Sequence, residues 1–357
     1  MLNKSSSHNI PNSVESKIGC NLHLKDNHPI SIIKNHIYNY LSKIDNFEIY
    51  DHLSPIVSIE DNFDHLLIPK NHPSRSKSDT YYINDKQVLR SHTSAHQNEL
   101  LSKGQSCFLV TGDVYRKDEI DRYHYNIFHQ MEGLKLVDND IDPIEDLKKV
   151  LTGLVEYLFP NCEYQFLSDY FPFTDPSLQI EVQYNGKALE ILGSGQIHHD
   201  ILSRHQITKK GWAFGLGLER LAMVLFEIPD IRLLWSTHHK FLDQFQSGVI
   251  TKFKPFSSLD SVHKDVSFWI NNVEQDSWLD YNSFCEIVRD TFEDQVEEIK
   301  LIDKFVHPKT KKMSHTYRLK ISSTSDCHNS SELTEYSNKY MLILTRILSE
   351  KLDVTIR

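Results

Sequence analysis

Cysteine is scarce in this chain: 357 residues hold five, Cys20, Cys107, Cys162, Cys285 and Cys327, and no two of them form a Cys-x-x-Cys pair. The scatter excludes a zinc ribbon, argues against a disulfide framework and fits a reducing compartment. Long apolar runs are missing too, so no segment is fit to cross a bilayer as a helix. No internal repeat and no low-complexity tract stands out. The first twelve residues lack the apolar stretch of a secretory signal and offer one basic side chain, Lys4, before Glu15. Residues 1–18 therefore read as a leader, either disordered or a short targeting peptide.

What is present is the composition of an ordinary globular protein, with enough chain for two domains. Acid outweighs base, for a formal net charge of −10. That average counts against nucleic-acid binding, but phosphate contact depends on the local field. Between residues 300 and 320 stand seven Lys or Arg and a single acid, Asp303. The segment is either a basic contact surface or a solvated hairpin.

Apolar residues at helical spacing predict helices over Ile30–Ile44 and over Ile144–Leu158, where Leu147, Leu151, Leu154, Val155 and Leu158 share a face. Strands are expected near Glu163–Phe166, Leu178–Tyr184 and Ala188–Leu192, and Gly211–Ile228 reads as strand, glycine turn and helix. Patterning breaks around Lys252–Ser258, which marks a domain boundary. Beyond it the order is strand (Asp265–Ile270), helix (Tyr281–Thr291), strand (Val296–Phe305), strand (Ser314–Ser322), helix (Ser331–Leu348) and strand (Val354–Ile356). That is the ferredoxin-like βαββαβ arrangement, with Lys309–Lys312 in a basic turn between its middle strands.

Three segments carry chemistry. Gly215-Leu216-Gly217-Leu218-Glu219-Arg220 lacks the third glycine of a dinucleotide fingerprint. It can instead offer Arg220 to a phosphate from a helix start, or leave it in a surface ion pair. The run Gly112–Glu132 reads as two strands and a loop, and Phe128, Gln130 and Glu132 share one face by period two. A ring, an amide and a carboxylate together suit a pocket, with an amphipathic strand as the alternative. Phe171-Pro172-Phe173 is either core or a pair of rings presented on a proline-fixed turn. The adjacent pairs His198-His199 and His238-His239 have side chains expected to diverge, so solvated histidines explain them better than a metal site.

Together these segments resemble the signature motifs of class II aminoacyl-tRNA synthetases, and most closely the phenylalanyl-tRNA synthetases. Motif one is matched from Asp61 through Pro69 and His72-Pro73-Ser74-Arg75, motif two by Arg116–Glu132 and motif three by Gly215–Met223. Arg90-Ser91-His92-Thr93-Ser94, Phe171-Pro172-Phe173, Glu190-Ile191-Leu192-Gly193 and Trp212-Ala213-Phe214 match pieces specific to that family. The resemblance implies an α+β fold. A class II antiparallel sheet flanked by helices would span 19–251, and a ferredoxin-fold anticodon-binding domain 252–357. It implies an ATP-dependent ligase of the single-chain organelle type, working in the mitochondrial matrix or another organelle as a monomer. Its partners would be ATP, phenylalanine and tRNA(Phe), with magnesium as cofactor and no membrane. Arg116 would hold the ATP α-phosphate and Arg220 the γ-phosphate, with Asp118 and His124 also at the nucleotide and Phe128 stacked on adenine. His92, Ser94, Gln130 and Glu132 would orient the amino acid, Phe171 and Phe173 would pack on its ring, and Ala213 would line the floor. Lys304, Lys309, Lys311, Lys312, Arg318 and Lys320 would meet tRNA phosphates, and Asp175 or Glu190 would hold magnesium. The alternative is a non-catalytic tRNA-binding or regulatory paralogue that kept the fold.

Overall fold

The computed structural model describes residues 8–357 apart from 185, 247, 256–260, 272–280 and 323–329. Strands β1 (Glu48–Tyr50), β2 (Ile56–Ser58), β3 (Gln87–Leu89), β4 (Cys107–Tyr115), β5 (Ile127–Val137), β6 (Tyr164–Asp169), β7 (Thr174–Tyr184), β8 (Lys187–Ile197) and β9 (Lys210–Gly217) precede residue 251. Strands β10 (Val262–Ile270), β11 (Val296–Val306), β12 (Met313–Ile321) and β13 (Val354–Ile356) follow it. Seven of the first group make one sheet in the order β1-β4-β5-β9-β8-β7-β6. Its pairs run antiparallel except that β1 joins β4 in parallel. The expected antiparallel sheet therefore carries a parallel edge strand.

Two helices cover one face of this sheet, and each begins where its sequence supplies a stop for the free backbone amides. In Pro29–Leu41 the His28 ring accepts from Ile30 N–H and Pro29 takes the first turn; Ile30, Ile33, Ile37 and Leu41 are buried. In Pro143–Leu158 the Asp142 carboxylate accepts from the N–H of Ile144 and of Glu145, a cap worth about 1 kcal/mol. The stripe Leu147, Leu151, Leu154, Val155 and Leu158 is buried as its spacing required. Trp212 ties the helix to the sheet by donating Nε1–H to Asp146 at 2.8 Å.

Alternation along the central strands then decides what faces where. Ile127 and Met131 of β5, with Trp212, Phe214 and Leu216 of β9, enter the main core. Their neighbours Phe128, Gln130, Glu132, Ala213, Gly215 and Gly217 turn to the other face and line a cavity. The strand β9 runs straight into the helix Leu218–Leu225, with Gly217 in an extended conformation (φ −88°). No glycine turn intervenes, which corrects that expectation.

The second group of strands forms a sheet in the order β11-β12-β10-β13 with antiparallel pairs throughout. Helices Tyr281–Phe292 and Ser330–Lys351 complete the βαββαβ order. Val266, Phe268, Phe284, Val288, Leu319, Leu344 and Leu348 build its separate core. Helix Tyr281–Phe292 also has a polar side, which packs on the first domain. Its Asn282 donates to Asp79, and Glu286 accepts from Tyr81 and Asn126.

From residue 8 onward the N-terminal segment is folded, which corrects the expectation of disorder for residues 8–18; residues 1–7 lie outside the described set. Ile10 and Val14 are buried in the main core, Asn9 holds the backbone of Thr80 and Tyr82, and Lys17 pairs with Asp294 at 3.1 Å. So short a stretch, with apolar side chains only at Ile10, Val14 and Ile18, has too little periodicity to announce such burial.

Candidate active site

The cavity on the inner face of the large sheet has a volume of about 800 Å³. Two of its features are made by glycine. Gly215 and Gly217 pair in register with Glu132 and Gln130, and a Cβ on either would meet nothing within 4 Å. They keep the middle of the floor low. Gly193, beside Gly215 on β8, sits under Phe171, whose Cζ would be 2.6 Å from an added Cβ. Close approach of that ring demands glycine.

The half of the cavity near β8 is apolar. Phe171 and Phe173 lie parallel with centroids 5.8 Å apart and both rings half-buried; Phe173 in turn faces His92 at 6.3 Å. Ala213 packs in the cluster that includes Leu134 and Phe173. His92 is pushed down to about 3 by burial, with the charge of Arg116 acting the same way, so its imidazole is neutral. Glu132 stands at the inner end, 2% exposed. Ser94 donates to one of its oxygens and Gln97 Nε2 to the other at 2.6 Å. Burial nevertheless raises its pKa to about 7, and those two hydrogen bonds hold it from going higher. The Ser94 hydroxyl is engaged with Glu132, so it acts through that carboxylate. Gln97 went unnoticed in the sequence, where only its spacing of three from Ser94 hinted at a shared site.

Toward the other end the cavity turns polar. Arg116 donates Nε–H to the Ser91 carbonyl at 2.7 Å, and its guanidinium lies 5.2 Å from the Phe128 ring centroid. This cation–π contact is worth on the order of 1 kcal/mol. Arg220 is exposed at the mouth and donates to the Glu190 carbonyl at 3.1 Å. Asp118 and His124 line the same space, on the loop between β4 and β5. His124 is raised by its hydrogen bond to Asp121, at 2.7 Å. Glu119, Asp121 and His124 form the one group among the described residues with metal-ligand spacing. Their mutual pairing already uses the charges.

Buried struts hold these groups in place. His129, fully buried, bonds Glu219 twice at 2.7 Å, through Nδ1 and through its backbone N–H. That fastens the strand bearing Phe128 and Gln130 to the helix start bearing Arg220. Arg90 is 1% exposed and donates to the Asp113 carboxylate at 2.9 Å and its carbonyl at 2.7 Å. Arg90 fills the space where a Cβ on Gly112 would be, 2.0 Å from its Nη2. Removing one partner of such a buried pair costs about 3–5 kcal/mol.

Other expected residues fall elsewhere. Asp175 is exposed and outside the cavity lining, whereas Glu190 lies on it. Lys309, Lys311 and Lys312 are exposed in the turn joining β11 to β12, closed by His307 N–H to the Lys312 carbonyl. Lys304 is exposed on β11. Arg318 is held bidentately by Asp265 at 2.8 Å, and Lys320 by Glu297 at 2.9 Å. Cross-strand carboxylates thus compete with phosphate for these two, a pairing that register decides and sequence order hides. His238 and His239 stack at 4.6 Å instead of diverging, because they straddle the start of a short helix.

Comparison with known proteins shows the family. The family described as tRNA synthetases class II core domain (F) matches residues 16–245. A chloroplastic/mitochondrial phenylalanine–tRNA ligase of Arabidopsis thaliana is 45% identical, covering 98% of this chain and 82% of its own. Mitochondrial phenylalanine–tRNA ligases are 42% identical in Mus musculus (87% of this chain, 78% of the relative) and 36% in Saccharomyces cerevisiae (88% and 85%). The chain belongs to the single-chain, organelle type of phenylalanine–tRNA ligase, within the class II aminoacyl-tRNA synthetases.

Proposed function

We propose that this protein activates phenylalanine with ATP and transfers it to tRNA(Phe) in an organelle, as a monomer. The observation that carries the reading is a single cavity with two unlike halves. Stacked Phe171 and Phe173 with Ala213 suit a phenyl ring; Phe128, Arg116 and the bare glycines suit a nucleotide. With Arg116, Gln130, Glu132 and Arg220 all on one cavity, nothing favours a paralogue that has lost catalysis. Pyrophosphate exchange assayed with each of the twenty amino acids tests it. Exchange with phenylalanine alone is expected; exchange with another amino acid only, or with none, rejects it.

The chemistry needs no protein nucleophile, because the amino acid's own carboxylate attacks the α-phosphorus and pyrophosphate leaves. The cavity aligns that carboxylate and stabilises charge as the phosphorus is displaced. Arg116 serves the α-phosphate and Arg220, at the mouth, the γ-phosphate. In the second step the 2′-hydroxyl of the terminal ribose attacks the activated carbonyl and AMP departs. Magnesium suits Glu190 on the lining better than Asp175, since this cation binds through one or two carboxylates plus phosphates. When bound, it would neutralise phosphate charge.

Glu132 gives the site a pH signature. Its carboxyl, raised to about 7, must be ionised to hold the substrate ammonium. The fold prefers the protonated form, so this group's contribution to stability is fullest below 4.5, the ordinary value for a glutamate, and is lost as pH rises through about 7. Substrate binding runs the opposite way. KM for phenylalanine should fall as pH goes from about 6 to about 8, by up to tenfold per unit below the pKa. Glu132→Gln should flatten the profile; an unchanged profile in that variant would remove Glu132 from the role.

Ala213→Gly should enlarge the apolar half and admit para-substituted phenylalanines, with a gain of roughly tenfold in relative kcat/KM, the scale of one methylene. Unaltered discrimination between phenylalanine and its para-chloro analogue would contradict the assignment.

For tRNA, the basic turn of the second domain is the candidate, with Lys309, Lys311 and Lys312 at its tip and Lys304 nearby. Phe305, on the strand that leads into it, and Trp269 have ring centroids 6.1 Å apart, with Arg357 over both rings at 5.7 and 5.4 Å, an arrangement suited to stacking unpaired bases. Charge reversal at Lys311 and Lys312 should weaken tRNA binding about tenfold and lower its salt slope by roughly one to two. Filter binding across a salt series reads both.

A further inference from the structure

The loop 117–125 between β4 and β5 faces two ways. Lys117, Asp118, Tyr123 and His124 line the catalytic cavity. Near its middle, Ile120 packs into the other domain: it is 4% exposed and lies in the core built by Val266, Phe284 and Val288. Backbone pairing adds to this, since Ile299 N–H donates to the Ile120 carbonyl at 3.0 Å. Arg122 pairs with Glu297. Within the first domain the loop is tethered mainly at its two ends, where Lys117 N–H donates to the Asp79 carbonyl at 2.8 Å and Tyr125, buried in the main core, stacks on Trp235 at 5.5 Å. Among the described residues its other tethers there include Asp121, which accepts from the N–H of Tyr123 and His124, and Ile231 N–H donating to the Arg122 carbonyl.

Directly behind the cavity-facing residues lies Arg289, on the helix Tyr281–Phe292. It is 5% exposed, and its Nη2 donates to the Glu119 carbonyl at 3.0 Å and the Asp118 carbonyl at 3.3 Å. Its guanidinium also lies 5.9 Å from the centroid of the Tyr125 ring, at the other end of the loop. One buried cation thus fixes both the descending and returning limbs. We infer that Arg289, a residue of the second domain, is a positioning residue for the ATP half of the catalytic site, which is incomplete without that domain. The inference rests on the nucleotide reading proposed above. Arg289 stands outside the cavity lining and acts by setting the backbone of Asp118 and Glu119, the two residues that follow Arg116 and Lys117.

Carbonyls held by an ionised donor move less than carbonyls bonded to water, and a shift of about 1 Å at a reacting site can cost a hundredfold. The effect should be confined to the nucleotide, because the phenylalanine half is built by β5, β8, β9 and the turn at Phe171. Calorimetric titration of the full chain with ATP and, separately, with phenylalanine reads the split. Arg289→Met is expected to weaken ATP binding about tenfold while phenylalanine binding stays within about twofold. Arg289→Lys, which can reach one carbonyl, should recover part of the loss. Ile120→Ala withdraws the apolar anchor without touching Arg289 and should show the same split, so it decides the matter if Arg289→Met does not fold. Unchanged ATP affinity in a folded variant, or equal weakening of both ligands, overturns the inference. Pyrophosphate exchange by the unaltered protein tests the proposed activity separately, and a failure there leaves the two affinities measurable.

Discussion

Arg116→Ala should lower phenylalanine-dependent pyrophosphate exchange by about two to three orders of magnitude, the scale of losing one preorganised group at a developing charge. The guanidinium is set before substrate arrives. Ser91 takes its Nε–H and Phe128 lies against its face, so its rotamer freedom is spent during folding. Its desolvated environment also lowers its pKa without discharging it, because a guanidinium begins from so high a value. In such surroundings the positive charge acts on phosphate with little screening. Arg116→Lys keeps the charge but loses the planar fork, and is expected to recover only a small part of the rate. Stability should barely change, since its protein partners are one carbonyl and one ring. Near-normal exchange in Arg116→Ala would show that the α-phosphate is held by something else.

Gly215→Val should be nearly as harmful to activity, with the thermal midpoint almost unmoved. A Cβ there meets nothing within 4 Å, and its backbone has no left-handed demand. The strand can therefore accept a branched side chain, a type that sheets favour. What changes is the cavity: two methyl groups would rise between Glu132 and Gly193, its register partners on either side. A fall of about a hundredfold in kcat/KM is expected from displacement of that size. Gly193→Ala is the contrasting case, because its Cβ would strike Phe171 and disturb the apolar half directly. If Gly215→Val melts normally and still exchanges pyrophosphate at full rate, the substrates do not cross that part of the floor.

The parts of this molecule that were legible in the sequence share one property: they are written in local spacing. The buried stripe from Leu147 to Leu158 and the alternation of Phe128, Gln130 and Glu132 repeat with the period of the element that carries them. The second domain's element order was readable for the same reason, since each strand and helix keeps one face dry. What stayed hidden depends on partners far away in the chain. Glu219 lies 90 residues from His129, and Arg289 is 170 residues from Glu119. Arg318 looked available for phosphate until register set it opposite Asp265. Burial of Ile10 and Val14 was hard to see because a short polar stretch with so few apolar side chains shows too little of a period to reveal it. The glycines of β9 invited a turn because that is glycine's commonest use. Here they leave room for a ligand while the strand continues.

The folded beginning of the chain has a practical consequence. Ser13 donates its backbone N–H to Asp290, and Lys17 joins Tyr125 to Asp294, so these early residues clasp the C-terminal part of the protein as well as the large sheet. A version trimmed to start at residue 19 would uncover the hydrophobic seats of Ile10 and Val14 and free a carboxylate at the seam. Anyone preparing this protein by cutting back to the homologous core would loosen a fastening that no catalytic motif marks.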